Sequence, residues 1–78
     1  MAKFVKVYST PTCPWCIRVK DFLKENKIEF QNLDVAADQL AADEMMAKTG
    51  QLGVPVLDIG GEIIIGFDKE KIKLALGI

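Results

Sequence analysis

The stretch Phe4-Val5-Lys6-Val7-Tyr8-Ser9-Thr10-Pro11-Thr12-Cys13-Pro14-Trp15-Cys16 passes from one backbone period to another. Phe4 to Tyr8 alternates apolar and charged side chains around β-branched residues, which is the period of a strand. Ser9 to Thr12 is loop chemistry, and Pro11 removes an N–H that a ladder would need. From Pro14 to about Asn26 the spacing becomes helical. Cys16, Val19, Phe22 and Leu23 fall on one face, with Arg18, Asp21, Lys24 and Glu25 largely on the other. Pro14 suits the first helical position, where its missing N–H would have no helical partner. Two cysteines therefore sit at the junction of a strand, a short loop and a helix.

Working outward, Ile28 to Leu33 alternates again and predicts a second strand. Two strands joined by a helix form a right-handed βαβ unit, so they should run parallel. Asp38 is placed as the N-cap of a second helix reaching about Thr49, with Gly50 as its stop. Val54 to Ile59 reads as a strand opening at a proline. Gly60-Gly61 is a two-residue hairpin turn, and Glu62 to Ile65 is the return strand. Asp68 caps a last helix with Ile72, Ala75 and Leu76 on its apolar face. The order β-α-β-α-β-β-α predicts an α/β fold with a four-stranded mixed sheet and three helices, as a single domain over residues 1–78. The cysteine pair then lies just past the carboxyl end of the first strand, where open α/β sheets place their ligands.

The composition narrows the chemistry. The 78 residues carry ten Lys+Arg and eleven Asp+Glu, a net charge of −1 that argues against nucleic acid or an anionic membrane as partner. The opening Met1 to Tyr8 is too short and too charged for a secretory signal, and no apolar run approaches bilayer length, so a cytoplasmic monomer is expected. There is no His, which removes a His-based triad and His-rich metal sites. Two Cys cannot fill a four-ligand zinc site, and a disulfide-stapled secreted scaffold normally carries more.

The remaining chemistry is redox. The first turn of a helix presents unpaired N–H groups and about half a positive charge. A cysteine placed there has its pKa lowered from about 8.5 into a range of roughly 3.5–7.5. Cys13 is therefore expected to be the exposed nucleophile that attacks a substrate disulfide. Cys16, one turn inside on the buried face, is expected to resolve the mixed disulfide and leave a Cys13–Cys16 disulfide. Trp15 projects at the rim, where a substrate can pack on it.

At this point the sequence resembles a glutaredoxin, of the thioredoxin-like superfamily, over nearly its whole length. Val7-Tyr8-Ser9 followed by Thr12-Cys13-Pro14-Trp15-Cys16 is similar to the family's strand-to-active-site segment, whose dithiol motif is usually Cys-Pro-Tyr-Cys. Gly53-Val54-Pro55 resembles the Thr-Val-Pro segment, and Ile65-Gly66-Phe67-Asp68 resembles the Gly-Gly-x-Asp segment before the last helix. The resemblance implies a thioredoxin-like fold and a thiol–disulfide oxidoreductase acting on protein or glutathione-mixed disulfides, with no permanently bound cofactor. It implies a cis Pro55, and Val54 offering its backbone N–H and C=O to a peptide or to glutathione. Gln51 and Asp68 fall where the family contacts the two ends of glutathione. Thr12, Trp15, Gly66 and Phe67 complete the expected binding surface.

The departures leave the electron source open between glutathione and a flavoenzyme of the thioredoxin-reductase type. Thr10 stands where many glutathione-using members have Lys, Gly53 replaces the Thr, and Ile65 and Lys69 replace one glycine and one aspartate. Gly66-Phe67 is similar to a Gly-Phe in glutaredoxin-like electron donors of ribonucleotide reductase, which makes that enzyme a candidate partner. A rival reading is a [2Fe–2S] carrier, in which one thiolate from each of two chains and two glutathione thiols supply four sulfur ligands. Pro14 and the competing Cys16 favour disulfide formation over such bridging. A third reading is a redox-inactive interaction module, which would normally have lost one Cys. Met45-Met46 reads as core filler, and Asp38, Asp43 and Glu44 as a solvated face. Arg18, Lys20, Lys24 and Lys27 either steer acidic partners or form another solvated face.

Overall fold

The structure is a computed structural model that describes residues 4–51 and 53–77; the opening Met1-Ala2-Lys3 lies outside them. Its elements are β1 (Val5–Ser9), α1 (Pro14–Glu25), β2 (Gln31–Asp34), α2 (Gln39–Thr49), β3 (Val56–Ile59), β4 (Glu62–Ile65) and α3 (Lys69–Leu76). The sheet order is β2-β1-β3-β4. β1 and β2 are parallel, as the βαβ unit requires, and β1–β3 and β3–β4 are antiparallel. This is the expected four-stranded mixed sheet with three helices. No helix among the described residues is long and apolar enough to cross a membrane.

Strand alternation divides the sheet into two faces. On one, Val5, Val7, Leu57, Ile59 and Ile64 meet Val19, Phe22 and Leu23 of α1 and Ile72 and Ala75 of α3. On the other, Tyr8 and Val56 meet Ala41 and Met45 of α2. Fully buried side chains such as Leu23 and Ile72 each contribute about 1.5–3 kcal/mol by leaving water. Met45 is core filler, as its neighbours suggested, while Met46 is partly exposed.

Three strands are bounded differently from the sequence reading. β1 starts one residue later and extends through Ser9, whose partner is Asp34 of β2. β2 begins at Gln31 rather than Ile28, because Ile28 is held by the end of α1. Its N–H donates to the Leu23 carbonyl at 2.9 Å, and the Lys27 N–H donates to Lys24 at 3.0 Å. β3 begins at Val56 rather than Val54, since Pro55 has no N–H to donate and the Val54–Pro55 peptide is cis. The helix caps agree. Asp38 accepts from the Leu40 and Ala41 amides, Asp68 accepts from the Lys71 amide, and Gly50 adopts the left-handed conformation.

The turn after α1 places Lys27 at φ 56°, in the left-handed region that a Cβ disfavours. Lys27→Gly is expected to raise stability by about 0.5–1 kcal/mol, and Lys27→Val to lower it. Urea denaturation midpoints of the two variants measure both.

Glu44 was read as part of a solvated face, and the structure corrects that. It accepts from the Tyr8 hydroxyl and from Lys6 Nζ and Lys48 Nζ, the last two at 3.0 Å. Lys48 also donates to Tyr8 Oη and Asp58, so α2 is tied to β1 and β3 beneath it. The cluster forms because Lys6, Tyr8 and Asp58 alternate onto the α2 face while Glu44 and Lys48 are one helical turn apart. The Tyr8 hydroxyl, then Lys6 and Lys48, hold the Glu44 carboxyl down at about 2 against an ordinary 4.5. Burial works to lower Lys48, but Asp58, Tyr8 and Glu44 outweigh it and its pKa is raised. Tyr8 is raised by burial and by its bond to Glu44.

A carboxyl depressed on folding stabilises the native state above its unfolded pKa and loses that contribution as pH falls through its folded value. The Glu44 side chain is 40% exposed, so solvent screening reduces what the shift is worth. Glu44→Gln should lower stability at neutral pH. The difference from the parent protein should shrink between about pH 4.5 and pH 2. Thermal melts across that range check the window.

Candidate functional site

α1 begins with a sulfur as its cap. Cys13 is extended, at φ −93° and ψ 111°, and its Sγ accepts the Cys16 N–H at 3.2 Å. Its carbonyl accepts the first helical bond, from Ile17 N–H at 3.2 Å, and Pro14 occupies the first turn. The approach is a turn in which Cys13 N–H donates to the Thr10 carbonyl, with Pro11 and Thr12 exposed. Cys13 is half-buried and Cys16 fully buried, and both are free thiols. No acidic residue lies in the first turn to oppose a sulfur anion. Burial pushes the Cys16 thiol up, the adjoining Cys13 sulfur adds to this, and the Thr10 backbone and Lys20 work the other way.

The cis-proline loop faces this helix end. Val54 O lies 4.0 Å from Cys13 Sγ. The ladder reaches only Val56, so Val54 stands past its end, and its N–H has no partner among the described residues. The Pro55 carbonyl is occupied, accepting Gly66 N–H at 2.8 Å. That bond draws the chain after β4 toward the site, and Gly66 makes the turn at φ 83°, where a Cβ would be strained. Phe67 follows. It packs edge-on against Phe22 at 5.9 Å and stands 6.5 Å from Trp15, whose surface is 54% exposed.

The structure thus gathers Cys13, Cys16, Trp15, Val54, Pro55, Gly66 and Phe67 around one helix terminus. Thr12 lies in the turn leading to it. Gln51 is exposed and tied to Thr49 through its own backbone, with no hydrogen bond to either cysteine. Its side-chain amide lies 3.3 Å from where a Gly53 Cβ would stand, so a Thr at that position would crowd it. The Asp68 carboxylate is engaged as a helix cap. Two residues beside the site were missed as a pair. Arg18 lies 4.9 Å over the Trp15 ring, and Lys69 lies 5.7 Å over the Phe67 ring. The i, i+3 spacing of Trp15 and Arg18 carried the first of these contacts. Among the described residues, no group of three or more metal-ligating side chains occurs.

Comparison with known proteins gives the same picture. The Glutaredoxin family model matches residues 5–64. An uncharacterised glutaredoxin-like 8.6 kDa protein in a rubredoxin operon of Clostridium pasteurianum is 48% identical over 68 residues, 87% of this chain and 91% of that protein. Glutaredoxin 3 of Escherichia coli K12 is 33% identical over 64 residues, covering 82% of this chain and 77% of that one. Among solved structures, a mutant thioredoxin-like protein superposes with a TM-score of 0.90 at 35% identity, covering 95% of each chain. Because the matched span runs from the first strand through the cysteine pair and the cis-proline to the hairpin, the chain belongs to the glutaredoxin family of thiol oxidoreductases.

Proposed function

We propose that this chain reduces disulfides in proteins through a Cys13–Cys16 dithiol/disulfide couple. The observation that carries the reading is the Cys16 N–H on Cys13 Sγ, with Cys16 buried one helical turn inside an exposed rim. In the first step the Cys13 thiolate attacks one sulfur of the substrate disulfide. The substrate S–S bond breaks, its other sulfur leaves as a thiolate and takes up a proton, and a mixed disulfide forms on Cys13. The Cys13 sulfur no longer carries charge, so one of the influences that raise Cys16 is removed. Cys16 then loses its proton and attacks Cys13 Sγ. The mixed disulfide breaks, the substrate leaves with both sulfurs reduced, and the protein holds the two electrons' loss as a Cys13–Cys16 disulfide.

Val54 holds the substrate. Its unpartnered N–H and its carbonyl beside Cys13 Sγ lie past the end of β3 and offer backbone hydrogen bonds to an extended segment. Trp15 and Phe67 supply apolar surface next to it. Two successive glutathione thiols, or the dithiol of a flavoenzyme, return the two electrons. NADPH consumption with glutathione and its reductase, set against thioredoxin reductase alone, separates these sources.

Cys13→Ser should lower disulfide reduction by more than about 1,000-fold, since a hydroxyl is a far poorer nucleophile. Ser is a good N-cap, so the variant should keep its stability, whereas Cys13→Ala should lose about 1 kcal/mol as well. Cys16→Ser should complete the first attack and stop, trapping the mixed disulfide in an intact-mass measurement. In the native reduced protein at neutral pH, iodoacetamide should label Cys13 and spare the buried Cys16. Labelling of Cys16 first would reverse the two roles.

A further inference from the structure

Three successive contacts link cation to ring, ring to ring and ring to cation next to the Cys13–Cys16 segment. Arg18 lies over Trp15, Trp15 stands against Phe67, and Lys69 lies over Phe67. Trp15 has Cys13 and Cys16 as close neighbours in sequence, and Phe67 follows the Gly66 that bonds Pro55, so these rings lie near the thiol and the Val54 N–H, which has no partner among the described residues. Neither Arg18 nor Lys69 pairs with a carboxylate among the described residues. The acids near them in sequence form no ion pair with either cation among the described residues. Asp68 accepts the Lys71 amide, and Asp21 and Glu70 make no ion pair among the described residues.

A ring face attracts a cation but cannot accept its N–H groups in full. A guanidinium lying flat on an indole keeps its donor edge free for a carboxylate, and an ammonium keeps two or three donors. Two such cations at the ends of an apolar rim match a ligand that is apolar in the middle and anionic on both sides. We infer that the preferred substrate is an extended protein disulfide with acidic side chains within about three residues on either side of its reactive cysteine, a reach set by about 3.3 Å per residue of extended chain. This rests on the oxidoreductase reading above and names its substrate class. Arg18 and Lys69 act as specificity residues. They attract and align the carboxylates, and Trp15 and Phe67 take the apolar side chain between them. Opposite charge on the two surfaces acts mainly on the encounter rate, so the preference should weaken with salt.

The test uses the full chain, reduced beforehand and mixed in single turnover with three disulfide-bonded peptides. They share one sequence apart from Glu, Gln or Lys at the flanking positions, and glutathione disulfide serves as a fourth substrate. Released thiol is followed by quenched-flow alkylation and chromatography. The acidic peptide should react at least about tenfold faster than the lysine peptide, with the glutamine peptide between them, and the spread should shrink at high ionic strength. The ratio should approach one in Arg18→Gln/Lys69→Gln and invert in Arg18→Glu/Lys69→Glu. Because the readout is a ratio within each variant, a general loss of activity does not imitate the effect. Equal rates for the three peptides, a ratio untouched by either double variant, or glutathione disulfide outrunning the acidic peptide each overturns the inference alone. Reduction of none of the four overturns the oxidoreductase reading, and this inference with it.

Discussion

An α-helix that starts directly after a buried strand leaves its first amides unpaired, and something must accept them. Here the acceptor is Cys13 Sγ, which takes the Cys16 N–H. The position of the pair follows from this. The sulfur is fixed at the sheet's carboxyl end, because α1 can cross back over β1 only if it begins there. Its partner is fixed one turn inside, because residue 16 belongs to the face that packs on Val5 and Val7. The exposure difference between the two thiols is thus a property of helix periodicity, set before any substrate arrives.

The second requirement is a groove opposite that helix end, and the sheet order supplies it. β3 lies antiparallel to β1 on the side away from β2, so the chain entering β3 passes the end of β1 where α1 starts. The residues before Val56 therefore face Cys13. Val54 stands past the last β1–β3 partner, so its N–H and carbonyl lie outside the ladder, and the Gly66–Pro55 bond brings Phe67 alongside. On the opposite face, Glu44 and Lys48 tie α2 to Lys6, Tyr8 and Asp58. One face thus holds the apolar core that carries the site's helix, and the other is fastened by charge.

Much of this was legible because local chemistry decided it. Pro14 after Cys13, Asp38 and Asp68 before their helices, and Gly60-Gly61 between two β-branched runs each settle an element end by steric or hydrogen-bonding rules that need no distant partner. The misread boundaries depended on hydrogen-bond partners that alternation does not show. Ile28 alternates like a strand residue but is claimed by the Leu23 carbonyl, and Val54 reads as strand but stands beyond the last β1 partner. Glu44 looked solvated because two of its partners, Lys6 and Tyr8, lie 38 and 36 residues away. The cis state of Pro55 came from resemblance, since nothing in the local residues demands it. The Lys69–Phe67 contact was hidden because residues two apart do not face each other on a helix, and this pair straddles the cap of α3.

Using one sulfur both to close a helix and to do chemistry ties the redox state to the fold. A thiolate accepts an N–H more strongly than a disulfide sulfur does, because the hydrogen bond is charge-assisted. In the proposed couple, an anion at Cys13 would therefore be capped better by the Cys16 amide than a disulfide sulfur is, a bias toward the reduced protein. The same bias would act within the proposed cycle, because the resolving step leaves no anion at the helix terminus and gives up the interaction that favours the first step. In the proposed cycle, burial and the adjoining Cys13 sulfur push the Cys16 thiol up, which keeps the two sulfurs from competing for one substrate. In the proposed cycle the order of attack follows from the position of the two sulfurs. The outer sulfur has the helix amide, the inner sulfur has the core, and only the formation of a mixed disulfide changes the balance between them.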